Sequence, residues 1–300
     1  MERSRKRRAL ARKSLLYGAL VFAALFSAWP IAIMALEGYN IYLSSLFTPR
    51  NTLYFAGIPF EGPFSGPTPI HYLDELSLSA FPASLENTVT ISVISIAIAL
   101  AAGTTVAYAL ARLPIRGKGA IAYVLLALRA LSPFAVVAPL YIIFTQDGLW
   151  NTYVGVALAE ELVILAMVVW VLRGFFSDIP REIYDAAATF GASEGQIFRR
   201  VALRMVIPGM AVTALFAFVL VWNEFAISYI LTGPVTKTVP VGVWTGLGET
   251  TASFRVINFD DLNAGGFLAW LPAIAVMLAI RRYLAKGYSL GTASSNAGRR

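Results

Sequence analysis

The sequence predicts an all-α polytopic membrane protein: six transmembrane helices with a helix-bend-helix segment on the cytoplasmic side between the fourth and fifth. Three observations predict it. Of the 300 residues, 58% are hydrophobic and only 14% are charged, where a soluble domain carries about 25% charged residues; mean hydropathy is +0.68. Six apolar stretches approach the ~20 helical residues needed to cross a ~30 Å hydrocarbon core. The basic residues alternate in density between successive connections, as the positive-inside rule requires.

The first stretch, Leu15 to Leu36, follows a terminus with seven Lys and Arg. Its 22 uncharged residues exceed a secretory h-region and no small-residue cleavage site comes after them, so it reads as a retained span. The others run from Val89 to Leu110, Ala120 to Phe144, Tyr153 to Val171, Met205 to Ile230 and Leu262 to Ile280. With the N-terminus inside, Lys and Arg number seven before the first span, three around Arg112 to Lys118, five from Arg173 to Arg204 and five from Arg281 onward, together 20 of the 24. Outside lie only Arg50, Lys237 and Arg255, with Arg129 inside a span. The net charge of +7 is therefore a topology signal and not a nucleic-acid footprint, and both termini are expected in the cytoplasm.

Between the first two spans, Glu37 to Asn87 is rich in Pro, Gly and aromatics and carries Glu37, Glu61, Asp74, Glu75 and Glu86. It is too polar for lipid and reads as an external loop. His71, the only histidine, has no ligand-type partner close in sequence and reads as a loop residue. With no cysteine in the chain, disulfide frameworks, thiol nucleophiles and cysteine metal sites are excluded.

The polar island from Pro180 to Pro208 has its own grammar. Pro180 suits the first position of a helix, and Glu182 and Asp185 place negative charge near its positive end. Ile183, Ala186, Ala187 and Phe190 recur at i, i+3, i+4 and i+7 as an apolar stripe, with Glu182, Asp185 and Thr189 opposite. Gly191 can take the left-handed conformation that ends the helix, and Ser193 with Gln196 forms a capping box for a second helix from Glu194.

Ionisable groups inside spans cost roughly 2.5 to 3.5 kcal/mol each on insertion scales, so each needs a partner or water. Arg129 in the third span and Glu160 and Glu161 in the fourth fall within several ångströms of the same height, close enough to form an ion pair. Glu224 lies beside Trp222 and Asn223 in the upper part of the fifth span. No nucleotide-cradling glycine loop of the G-x-x-x-x-G-K-[ST] type, nucleophile-base constellation or metal-ligand spacing is present, so the chain is not expected to be an enzyme or to hold a cofactor. A secondary transporter would show paired halves with interrupted spans, and no such repeat is found.

Asp185-Ala186-Ala187, Gly191, and then Val201 and Leu203 after a nine-residue gap resemble the E-A-A-x-x-x-G-x9-I-x-L-P coupling loop of ABC-importer permeases. Asp185 stands for the leading Glu and Arg204 for the final Pro. Further stations resemble the carbohydrate-uptake branch of that family: His71-Tyr72 with Leu76, Leu85-Glu86-Asn87-Thr88, Ala107 to Arg112, Arg129 with Pro133, Pro139-Leu140-Tyr141, Gly148-Leu149 with Asn151-Thr152, Trp170 to Phe176, Trp222 to Phe225, and Gly287 with Gly291. Together they cover about Tyr72 to Gly291.

The resemblance implies a maltose-type inner-membrane permease subunit of a binding-protein-dependent importer for a sugar or polyol, in the cell membrane. It divides the chain into a basic N-terminus (1–14), first span (15–36), external loop (37–87), permease core (88–284) with coupling loop 178–204, and a cytoplasmic tail (285–300). It further implies two ATPase subunits that carry ATP and Mg, a second and different permease chain, and an extracytoplasmic solute-binding protein. The ATPase-coupling residues would be Glu182, Asp185, Ala186, Ala187, Gly191, Val201 and Leu203. Arg129, Glu160, Glu161, Trp222, Asn223 and Glu224 are candidates for the substrate path, with an ion pair or core packing as the structural alternative. A non-sugar solute, a secondary transporter and a scaffold without transport remain as other readings.

Overall fold

The computed structural model describes residues 2–39, 53–55, 58–60, 69–77, 81–246 and 259–297. Side chains are described for 13–39, 69–77, 81–245 and 260–279. Arg50, Glu61, Arg255, Arg299 and Arg300 lie outside the described residues, as do the side chains of Arg281, Arg282 and Lys286.

Among the described residues the chain is helical apart from a short antiparallel hairpin. In order, the elements are α1 Glu2–Glu37, β1 Leu53–Phe55, β2 Ile58–Phe60, α2 Ile70–Ser77, α3 Phe81–Arg112, α4 Lys118–Leu128, α5 Pro133–Gln146, α6 Tyr153–Ser177, α7 Arg181–Thr189, α8 Glu194–Gln196, a π-helical segment Ile197–Ala202, α9 Leu203–Trp222, α10 Ala226–Leu231, α11 Val239–Gly246 and α12 Phe259–Ala297. In the hairpin, Tyr54 pairs with Pro59.

Among the described residues five helices are long and apolar enough to cross a membrane: Lys13–Glu37, Phe81–Arg112, Tyr153–Ser177, Glu194–Trp222 and Asp260–Ala279; the bent pair α4 and α5, counted as one span, makes a sixth. The count matches the six expected spans, but several outlines differ. The third is broken, since α4 and α5 meet at 88°. Pro133 opens α5 as its first residue behind Ser132, and a proline at that position removes the amide a continuous helix would have used. The fifth ends at Trp222, not Ile230, and α10 comes after a break. The second starts at Phe81, so the last residues assigned to the external loop belong to α3. Both expected tails are helical: α1 begins at Glu2 and α12 runs to Ala297.

Contacts divide the chain into two compact units, Met1–Ala80 with Val243–Trp270, and Phe81–Gly242 with Leu271–Arg300. In the first, Tyr72 donates to the Ala35 carbonyl at 2.9 Å and meets Phe267 edge-on. His71 is not a loop residue but part of α2, its Nδ1 2.6 Å from Asp261 Oδ1. Asn263 donates to Glu37 at 2.8 Å.

The core of the second unit is the α3–α6 pair, with α9 against both. The pair runs in one direction, since Asn87 meets Tyr153 at the starts of the two helices and Arg112 meets Phe176 at their ends. Ile91, Ala99, Ala107, Val156, Ile164, Val168, Leu172 and Val206 are buried there. The helices approach closely because small residues lie at the contact: a Cβ on Gly103 would stand 2.7 Å from Val168 Cγ1, inside any tolerable contact.

One end of this pair is held by buried polar side chains. Asn87 donates to the Val235 and Lys237 carbonyls at 2.9 and 3.0 Å and accepts from the Tyr153 hydroxyl at 2.8 Å. The Val239 amide donates to Thr88 Oγ1. Asn151, at φ 56°, accepts from the Gly233 and Thr236 amides and the Thr236 hydroxyl at 2.8, 3.2 and 2.9 Å. Asparagine tolerates the left-handed region far better than alanine. We expect Asn151→Ala to lower unfolding stability in detergent by about 2–3 kcal/mol, through unsatisfied amides and backbone strain. Asn151→Gly, which keeps the conformation, should cost less; equal losses would remove the conformational contribution.

Candidate coupling surface and intramembrane carboxylates

The island between the fourth and fifth spans forms the bend its sequence dictates. Pro180 is the N-cap, one residue before the expected position, and α7 runs Arg181–Thr189 with Phe190 as C-cap. Gly191 takes φ 79°, and its amide and that of Ala192 donate to the Ala188 and Ala187 carbonyls, closing orphan carbonyls at the helix end. Ser193 and Gln196 form the reciprocal capping box, the Ser193 amide donating to Gln196 Oε1 at 3.0 Å.

The second helix of the island is not a separate short element. Helix α8 passes through the π-helical turn Ile197–Ala202 directly into α9, so the bend is welded to the fifth span. Arg204, standing where the resembled motif has Pro, is exposed and continues the helix. Val201 is half-buried, Leu203 likewise, and Ala202 is fully buried.

The expected apolar stripe divides in two. Ile183 and Tyr184 are half-buried against the core and Ala187 is half-buried as well, whereas Ala186 is exposed and Phe190 is 92% exposed. Glu182 and Asp185 are exposed. Around Gly191 the space is open: a Cβ there would meet nothing within 4 Å.

The inward side rests on a seat at the end of α3. Arg112 donates from Nε and Nη2 to the Phe176 carbonyl at 3.0 and 2.7 Å, and from Nη2 to the Ile179 carbonyl. Its guanidinium lies 4.1 Å over the Tyr184 ring. Burial pushes the Tyr184 hydroxyl above the ordinary tyrosine range, with Arg112 opposing, so the ring stays neutral beneath the cation. Tyr108 packs on Phe176, Tyr184 and Phe198 and donates to Glu194 Oε2 at 3.3 Å. Tyr108 and Arg112 belong to the Ala107 to Arg112 station of the sequence, which assigns them no task; their partners, 64 to 86 residues away, leave no local signal.

The intramembrane candidates are arranged differently from the expected ion pair. Arg129 is the C-cap of α4 at the break and is exposed. Glu160 is fully buried, and neither its oxygens nor those of Glu161 have a hydrogen-bond partner of ordinary geometry. Among the described residues no ion pair joins Arg129 to Glu160 or Glu161. Glu224, the residue before the N-cap Phe225, satisfies the start of α10: its carboxylate accepts from the Ile227 amide at 2.9 Å and the Ser228 amide at 3.0 Å. That i to i+3 and i+4 pattern is available in the sequence. Trp222 is buried against Phe218, and Asn223 is exposed, its amide returning to the Val219 carbonyl.

Arg112→Ala removes charge-assisted bonds and the stacked cation, so amide hydrogen exchange from Asp178 to Ala192 should rise about tenfold or more while α6 keeps its protection. Arg112→Lys should recover only part, because an ammonium cannot fork to two carbonyls and lie flat on a ring. Glu160→Gln removes a buried unpaired carboxylate and should raise the unfolding temperature. Arg129→Ala should stay within about 0.5 kcal/mol of wild type, and the two changes should add; a coupling energy would restore the ion pair.

Comparison with known proteins agrees with the fold. The chain is 28% identical to a probable ABC transporter permease protein of Sinorhizobium fredii, over 93% of this chain and 94% of that one. It is 30% identical to the trehalose transport system permease protein SugB of Mycobacterium tuberculosis, over 70% of this chain and 76% of that one. Among solved structures it is similar to a chain of a bacterial ABC transporter that imports the acidic polysaccharide alginate, with TM-score 0.65 and 18% identity over 90% of this chain and 95% of that one. The sequence profile described as "Binding-protein-dependent transport system inner membrane component" matches residues 99–286, which span most of the α3–α6 core, the bend and α9, and the chain belongs to that family.

Proposed function

We propose that this chain is one of two membrane subunits of an importer for a sugar or polyol, and that it grips a cytoplasmic ATPase through residues 178–204. The observation that carries this reading is the island itself. A short helix rigidly seated on its inner side presents Glu182, Asp185, Ala186 and Phe190 outward, with open space at Gly191. Small residues at a bend let a partner's backbone approach closely, as helix-in-groove docking requires.

In this reading ATP and Mg sit on two partner ATPase subunits, an extracytoplasmic binding protein delivers the solute, and a second, different permease chain completes the pathway. Both termini face the cytoplasm, as the basic residues argue. ATPase closure moves the seated bend as a rigid element, and because α8 is continuous with α9, the motion passes directly into the fifth span and alternates access. The choice of a carbohydrate is supported by the trehalose permease relative. Trp222, Asn223, Glu224, Arg129, Glu160 and Glu161 stay candidates for the path; of these Arg129 and Asn223 are exposed.

Affinity purification of this chain from its native membrane tests the assignment. We expect ATPase subunits and a different permease chain in the eluate, identified by mass spectrometry, and ATP-dependent uptake of a sugar after reconstitution with the binding protein. Gly191→Leu should insert normally yet lose ATPase and uptake, since the left-handed conformation penalises a side chain by roughly 1 kcal/mol before any clash with the partner. A chain that purifies alone, or a Gly191→Leu variant with wild-type uptake, would contradict the reading.

A further inference from the structure

Phe190 is 92% exposed, more than any other large hydrophobic side chain among the described residues, including those on the lipid-facing helices. It stands outside the spans, on a segment whose neighbours Glu182, Asp185 and Thr189 are exposed and polar. No ring or cation contact holds it among the described residues. Yet its backbone is fixed: its amide donates to the Ala186 carbonyl at 3.1 Å, it is the C-cap of α7, and Gly191 and the capping box lock the next turn. An aromatic ring on a fixed frame in water is a feature with a cost and no compensation inside the chain, and it has the chemistry of an interface anchor, because most binding energy comes from a few aromatic or arginine side chains entering apolar pockets.

We propose that Phe190 is the anchor of the coupling surface: its ring fills an apolar pocket in the ATPase subunit, and the small Ala186 and Gly191 beside it let the walls of that pocket close on the ring. The proposal rests on the reading of residues 178–204 as the coupling segment and extends it to one residue and to the chemistry its partner must offer. Ala186 lies one helical turn before Phe190, so the two share a face, and that face is continuous with the outward side of the bend. Glu182 and Asp185 outnumber the exposed Arg181 on the same short helix, and drawing the ring into a bilayer would bring both acids towards hydrocarbon and anionic headgroups, which argues against a lipid occupant. Ile183 and Tyr184, by contrast, are held on the chain's own core and are not available to a partner. The anchor therefore also sets partner choice: an ATPase whose groove lacks an apolar pocket at this point should be rejected.

The test compares wild type, Phe190→Ala and Phe190→Leu in nanodiscs, measuring the affinity of the ATPase subunit isolated with this chain. Because the side chain is exposed, none of these changes threatens folding. We expect Phe190→Ala to weaken binding about tenfold or more and Phe190→Leu to recover most of the loss. Wild-type affinity in Phe190→Ala, with binding still abolished by Ala187→Arg, would overturn the anchor and leave the coupling reading intact. An ATPase that does not bind even the wild-type chain would overturn both. Phe190→Cys, in a chain with no other cysteine, should react rapidly with a bulky maleimide in nanodiscs without ATPase; a thiol shielded by the bilayer alone would place the residue in lipid and overturn the proposal.

Discussion

The Arg112 guanidinium joins the last turn of α3 to the end of α6 and to the Tyr184 ring in a single planar contact. The last carbonyls of a helix have no partner within it, and α6 turns sharply into α7 at Asp178 to Pro180. A fork of donors that also stacks flat on an aromatic face satisfies both needs, which a lysine could not. Tyr108, one turn earlier on α3, fills the space beneath with Phe176, Tyr184 and Phe198. The bend is thereby fixed to α3 by side chains, to α6 by the chain itself and to α9 through the π-helical turn. A segment held on three helices moves only with them.

The opposite end of the same helix pair is fastened by another kind of chemistry. Asn87, Thr88 and Asn151 bond to backbone groups of the segment after α10, where no regular ladder satisfies them. Buried backbone donors and acceptors there would otherwise each cost free energy. Between the two fastened ends the pair touches through small residues and aliphatic packing, and Glu160 is buried there with no hydrogen bond of ordinary geometry. The middle of the unit thus carries the least polar reinforcement, and the two ends carry most of it.

Local signals were legible in the sequence. Composition and basic asymmetry pointed to six spans, and Ser193, Gln196 and Gly191 announced the capping box and the left-handed turn, because these depend on neighbours three residues away or on the residue itself. The break in the third span was not legible, since a proline inside an apolar run kinks, breaks or is accommodated according to packing. The expected pairing of Arg129 with Glu160 or Glu161 assumed a straight helix; once α4 and α5 meet at 88°, equal depth along the sequence no longer means proximity. Periodicity puts Phe190 on the stripe with Ile183, but it is the C-cap of α7 and stays exposed where Ile183 is half-buried, because the core contacts reach only the Ile183 side of the short helix. The roles of Arg112, Tyr108 and Asn87 depend on partners far along the chain and had no local signature. Glu224 has one, since a carboxylate one residue before a helix N-cap lies three and four residues from the free amides of the first turn.

Rigid coupling requires that the bend and the end of α3 move as one body. The chain has no cysteine, and Val106 and Ala188 are both exposed, so spin labels at Val106→Cys and Ala188→Cys report the distance between them directly. In the complex reconstituted with its ATPase subunits, we expect that distance distribution to stay unchanged between the nucleotide-free state and the state trapped with ATP. A distance that shifts or broadens on ATP binding would mean that the bend moves against its seat, and the account of rigid coupling would be wrong.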